Sequence, residues 1–121
     1  MQHVLILADH PTGTLIQKYL LHEQYSVDQF NGSGFHGFPE GPYDIVIIDA
    51  SRCPQGVKDF LADVRERSRC RSLVLLRSME NEFPAVEIEE TVHGRVIMST
   101  KPVKLAELAR IVRAELGADG D

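Results

Sequence analysis

Four short apolar runs punctuate the chain: His3–Ala8 (HVLILA), Tyr43–Ile48 (YDIVII), Ser72–Leu76 (SLVLL) and Arg95–Ser99 (RVIMS). Runs of this length without polar alternation predict strands covered on both faces, as in a parallel sheet. Tyr25–Phe30 (YSVDQF) alternates instead, which predicts a strand nearer a sheet edge. Helical spacing fills the gaps. Leu15, Ile16, Tyr19 and Leu20 form one stripe, with Thr12 or Thr14 as its cap. Val57, Phe60, Leu61 and Val64 form a second. Leu105, Leu108, Ala109, Val112 and Leu116 form a third, with Gly117 as its stop. Strands alternating with helices predict an α/β fold with helices on both faces of a parallel sheet. Two connections make poor helices. Asn31–Pro42 holds four Gly and two Pro and has room for one helical turn at most. Met79–His93 predicts a short helix from Pro84, with an extra edge strand over Val86–Glu89 as the alternative.

A chain of 121 residues fits one domain, expected over 1–117, with 118–121 a polar, frayed tail. No apolar run approaches the roughly 20 residues of a membrane span, and the N-terminus carries no secretory pattern. Cys53 and Cys70 form no CxxC and have no His at zinc spacing, so they read as reduced thiols of a cytoplasmic protein. The net charge of −5 speaks against nucleic acid as a partner. Arg65, Arg67, Arg69 and Arg71 read as a solvated, cation-rich helix end, with a nucleic-acid patch as the lesser reading. His3, His22, His36 and His93 are scattered, with no ligand spacing, and read as surface or satisfied residues. Glu80, Glu82, Glu87, Glu89 and Glu90 read as a solvated acidic face.

In an open parallel sheet, ligands bind outside the carboxyl ends of the strands. Those ends are expected at Asp9, at Asp49, at Arg77-Ser78 and at Thr100-Lys101-Pro102. Two carboxylates, a hydroxyl and an ammonium would converge there. Paired carboxylates suit Mg²⁺, which keeps several waters and takes a phosphate oxygen. A carboxylate beside such a cation can attack a phosphoryl group and form an acyl phosphate. Lys101 would neutralise charge and Ser78 would hydrogen-bond a phosphoryl oxygen.

Leu7-Ala8-Asp9-His10-Pro11, Asp44-Ile45-Val46-Ile47-Ile48-Asp49 and Ser99-Thr100-Lys101-Pro102-Val103-Lys104-Leu105-Ala106-Glu107-Leu108 together resemble the receiver domains of two-component response regulators, CheY-like proteins. The likeness runs across most of residues 3–116, and it extends to receivers of hybrid histidine kinases and multidomain regulators. It implies a flavodoxin-like, doubly wound, five-stranded parallel sheet in the order 2-1-3-4-5, with the second helix short or missing. It implies Asp49 as phosphoacceptor, Lys101 and Ser78 as its catalytic partners, and Asp9, Asp49 and Ser51 as ligands of Mg. It further implies a histidine kinase or phosphotransfer protein as donor and a downstream protein or fused output domain as target. A homodimer would form through the family's fourth and fifth helices. Such a domain is a switch rather than an enzyme. Several residues depart from the family pattern. Ala8 stands at the first acid of the usual pair, and either Arg77 or Ser78 at the hydroxyl position. Met98 replaces a switch aromatic, and Cys53, Pro54 and Gly56 remodel the loop after Asp49. Two alternatives follow. One is a pseudo-receiver acting as a phosphorylation-independent interaction module. The other is a flavodoxin-like electron carrier, suggested by Thr12-Gly13-Thr14 but opposed by the absence of Trp and by only three Tyr.

Overall fold

The computed structural model describes residues 2–8, 12–30, 37–49, 57–77, 95–100 and 104–116. Among them run strands β1 (His3–Leu7), β2 (Ser26–Phe30), β3 (Ile45–Asp49), β4 (Ser72–Arg77) and β5 (Arg95–Thr100), and helices α1 (Thr12–His22), α2 (Val57–Ser68) and α3 (Leu105–Glu115). The strands form one sheet in the order β2-β1-β3-β4-β5, and every pairing is parallel.

The unbroken apolar runs have a direct cause. Side chains alternate between faces along a strand, so a strand covered on both sides needs apolar residues at every position. On one face Leu5, Leu7, Val46, Ile48, Leu73 and Leu75 pack with Leu61 and Val64 of α2. On the other, Val4, Ile6, Ile47, Val74 and Leu76 pack with Ile16 and Leu20 of α1 and with Leu108, Ala109 and Val112 of α3. The alternating run forms β2, which pairs with β1 alone at one edge; there Val27 is buried and Asp28 exposed.

Two expectations need correction. The unalternating pattern of Arg95–Ser99 predicts cover on both faces, but Val96 and Ile97 are only half-buried, since β5 is the last strand of the described sheet, as the order 2-1-3-4-5 requires. Thr12 and Thr14 lie within the first turn of α1 rather than ahead of it. A capping side chain belongs to a residue with extended backbone before the helix. Helix α3 starts after Lys104, whose backbone is extended and whose side chain makes no capping bond. The short helix from Pro84, its edge-strand alternative, the Gly117 stop and the polar tail all lie outside the described residues.

No helix occurs among the described residues between β2 and β3, in keeping with a second helix short or missing. Instead Phe38 is 2% exposed and joins the face that carries Leu5 and Leu61. Tyr43 follows, and its hydroxyl donates to the Asp28 carboxylate at 2.8 Å, joining the start of β3 to β2. Burial, then this hydrogen bond, then the Asp28 charge push the Tyr43 hydroxyl from 10.0 to about 12. The folded state therefore holds this proton more tightly than the unfolded chain. The resulting stability is full below pH 10.0 and declines as pH rises through the window to about 12. In Tyr43→Phe that component is absent. Urea midpoints of wild type and variant should converge across this window, and a difference independent of pH would refute the assignment.

Candidate functional site

Asp49 ends β3 at the carboxyl edge of the sheet and is only 4% exposed, the most deeply placed carboxylate among the described residues. Burying a carboxylate is costly unless other groups compensate it, and Asp49 is not without a partner. The local sequence explains the position. Ile45–Ile48 are wholly buried, and the run carries the chain through the core to deliver one acid where the sheet ends.

The pairing register shows what stands abreast of it. Asp49 pairs with Leu76 of β4, and Leu76 with Ser99 of β5. On the other side Leu7 pairs with Ile48, so Ala8 and Asp49 are each one residue beyond a matched pair. Ala8 is fully buried in the face that holds Ile6 and Ile47. The position beside Asp49 thus carries a methyl group, where a second carboxylate would complete an acidic pair.

Of the site residues expected from sequence, Asp49 alone is among the described residues. Asp9, Ser51, Ser78 and Lys101 lie outside them. In the chain, Asp9 comes two residues after the end of β1, Ser78 one after β4 and Lys101 one after β5, and all three strands end at the same edge as Asp49. Among the described residues no group of three or more His, Cys, Asp or Glu is placed to hold a metal ion. Mg²⁺ asks for one or two carboxylates and completes its shell with water and phosphate. The Asp49 carboxylate suits that chemistry.

Gly13 plays a part that its sequence context did not reveal. A Cβ there would lie 2.8 Å from the Ala8 carbonyl oxygen and 2.6 Å from Gln29 Nε2. The absent side chain lets the first turn of α1 close onto the end of β1. Thr12-Gly13-Thr14 accordingly forms the first turn of α1, with Gly13 buried and the two threonines half-buried. A glycine so early in a helix was the available signal.

Elsewhere the chemistry-bearing residues take ordinary places. His3 and His22 are exposed, and Met98 stands in β5 in register with Leu75, whereas His36, His93, Cys53 and the glutamates from Glu80 to Glu90 lie outside the described residues. Burial raises the Cys70 thiol above its usual range, against smaller opposing contributions from Ser68 and Arg65. The four arginines divide. Arg69 and Arg71 are exposed, while Arg65 and Arg67 are half-buried and donate to main-chain carbonyls: Arg65 to Cys70 and Arg71, Arg67 to Phe38. This corrects the expectation that all four are solvated: the two half-buried guanidiniums bond carbonyls beyond the helix, in the link to β4 and in the segment before β3. No helix among the described residues is long and apolar enough to cross a membrane.

No sequence-family model matches the chain, and no curated protein matches it. Solved structures do. The receiver domain of the TMAO respiratory system response regulator TorR superposes with a TM-score of 0.73 at 20% identity, over 96% of this chain and 97% of that one. The chemotaxis response regulator CheY4 of Vibrio cholerae gives 0.72 at 16% identity, over 95% and 98%. A response regulator from Thermotoga maritima gives 0.72 at 15%, over 96% and 98%. The resemblance noted in the sequence is thus matched in three dimensions: the chain has the fold of the CheY-like response-regulator receiver domains.

Proposed function

We propose that the chain is a phosphoacceptor signalling domain of a two-component system, with Asp49 as the acceptor. The single observation that carries this reading is a buried aspartate at the carboxyl end of β3, in a parallel sheet of order β2-β1-β3-β4-β5. In the reaction an Asp49 carboxylate oxygen attacks the phosphorus of a phosphohistidine or a small phosphodonor. A C–O–P linkage forms, the bond from phosphorus to the leaving group breaks, and its electron pair departs with that group, giving an acyl phosphate. Asp9, Asp49 and Ser51 are the residues that would hold Mg²⁺, which when bound supplies charge neutralisation. Lys101 would pair with the phosphoryl oxygens and Ser78 would donate a hydrogen bond to one of them.

Phosphorylation brings close to two negative charges and new acceptor oxygens to a buried edge, enough to bias a surface between two arrangements. The donor would be a histidine kinase or a phosphotransfer protein, the readout a downstream protein or a fused output domain, and the setting the cytoplasm. Incubation with Mg²⁺ and acetyl phosphate tests the reading: intact mass should gain one phosphoryl group. Absence of an adduct with that donor and with a cognate kinase would favour the second reading, a phosphorylation-independent interaction module.

One observation favours that second reading, namely the apolar Ala8 abreast of Asp49. It leads to a prediction. In Ala8→Asp a second carboxylate enters a buried position, which costs stability without metal and strengthens divalent binding. Added Mg²⁺ should therefore raise the melting temperature of Ala8→Asp more than that of wild type, by ligand linkage. Equal shifts would show that position 8 does not border the cation.

A further inference from the structure

We infer that segment 37–43 is a clamp that opens and closes as one unit with the C-terminal half of α2, fixing the far end of the helix that leads away from the Asp49 strand. A helix leaves its last four carbonyls without partners of its own. In α2 these belong to Arg65, Glu66, Arg67 and Ser68; the Arg65 carbonyl accepts the Arg69 N–H at 2.9 Å just past the helix, and the segment answers two of the others. The Gly41 N–H donates to the Arg67 carbonyl at 3.0 Å, and the Tyr43 N–H to the Ser68 carbonyl at 2.9 Å. The approach is close: a Cβ on Gly41 would collide with the Ser68 carbonyl.

The helix answers in turn. Arg67 Nη2 donates to the Phe38 carbonyl at 3.0 Å, and the guanidinium carbon lies 4.5 Å from the centre of the Phe38 ring. That ring meets Phe60 of α2 edge-on, at 6.1 Å between centres. The Arg67 residue thus bonds the segment at both ends, through its carbonyl to Gly41 and through its side chain to Phe38. Ser68 carries the hold onward: its Oγ donates to the Val64 carbonyl at 2.5 Å and accepts the Cys70 N–H at 3.4 Å. Reciprocal bonds of this kind make neither partner stable alone, which is the condition for cooperative local opening. The inference does not depend on what happens at Asp49.

Hydrogen exchange of the unmodified full chain tests it, with Arg67→Ala as the main variant. Loss of a charge-assisted bond and a cation–π contact should speed exchange roughly tenfold. The increase should appear together in peptides covering 37–43 and 61–68, and not in those covering 3–7 or 45–49. Arg67→Lys keeps the charge but cannot both stack on the ring and reach the carbonyl. It should raise both segments by a smaller factor, and it serves should the alanine variant fail to fold. Faster exchange in 37–43 with 61–68 unchanged, or wild-type exchange in both segments, would overturn the clamp.

Discussion

Asp49→Asn should take up no phosphoryl group under conditions in which wild type is modified. The substitution keeps the size and shape of the side chain and removes the nucleophile. An amide oxygen does not form a stable linkage to phosphorus, and the neutral group also loses its attraction for a cation. Because Asp49 is buried at the end of β3, the comparison requires that the variant be folded, which an unchanged cooperative unfolding transition establishes. Intact mass after acetyl phosphate and Mg²⁺ is the readout. An adduct of equal yield on Asp49→Asn would place the acceptor elsewhere.

The second large effect is on stability. Leu5→Ala should destabilise the fold by about 2–5 kcal/mol, a large part of the 5–15 kcal/mol typical of a domain. Leu5 is wholly buried in β1, next to the middle of the sheet, and shares one core face with Val46, Phe38 and Leu61. No neighbour can close the cavity without moving a strand or a helix. Leu15, on α1, is 53% exposed, and Leu15→Ala should change stability by about 0.5 kcal/mol at most. Urea denaturation of the pair reads both values. Similar midpoints would mean that the Leu5 face is not the core.

The fold was legible in the sequence because its cause is local. Residues such as Ile45–Ile48 must be apolar at every position once a strand is buried on both faces, and β2 announced its edge position through alternation. The edge position of β5 did not show in the pattern of Arg95–Ser99, which carries no polar alternation; it came only through the strand order that the resemblance implied. The start of α1 was misplaced for a related reason. A threonine near a helix end has the same composition whether it caps the helix or lies inside it, and only backbone angles tell the two apart.

The site was legible in part. Asp49 could be picked out as an acid ending an apolar run, and the structure places it, buried, at the carboxyl end of β3. The partners named with it, Asp9, Ser51, Ser78 and Lys101, follow the strands in the chain and lie outside the described residues; periodicity carries no information on them and only resemblance spoke. What periodicity could not supply was register. That Ala8 stands abreast of Asp49, and that Gly13 is needed for α1 to approach the Ala8 carbonyl, follow from strand pairing and close packing. The clamp was equally hidden. Four Gly and two Pro in Asn31–Pro42 argued against a helix but gave no hint that the segment would bond to the end of α2.

Chemical location of the phosphoryl group tests the central claim most directly. Wild-type chain treated with Mg²⁺ and acetyl phosphate is reduced with borohydride, which converts an aspartyl phosphate to homoserine, and the product is sequenced by fragmentation. Homoserine at position 49 and at no other aspartate is the expected result. Homoserine at a different position, or an unreduced chain after a cognate kinase has also been supplied, would contradict it.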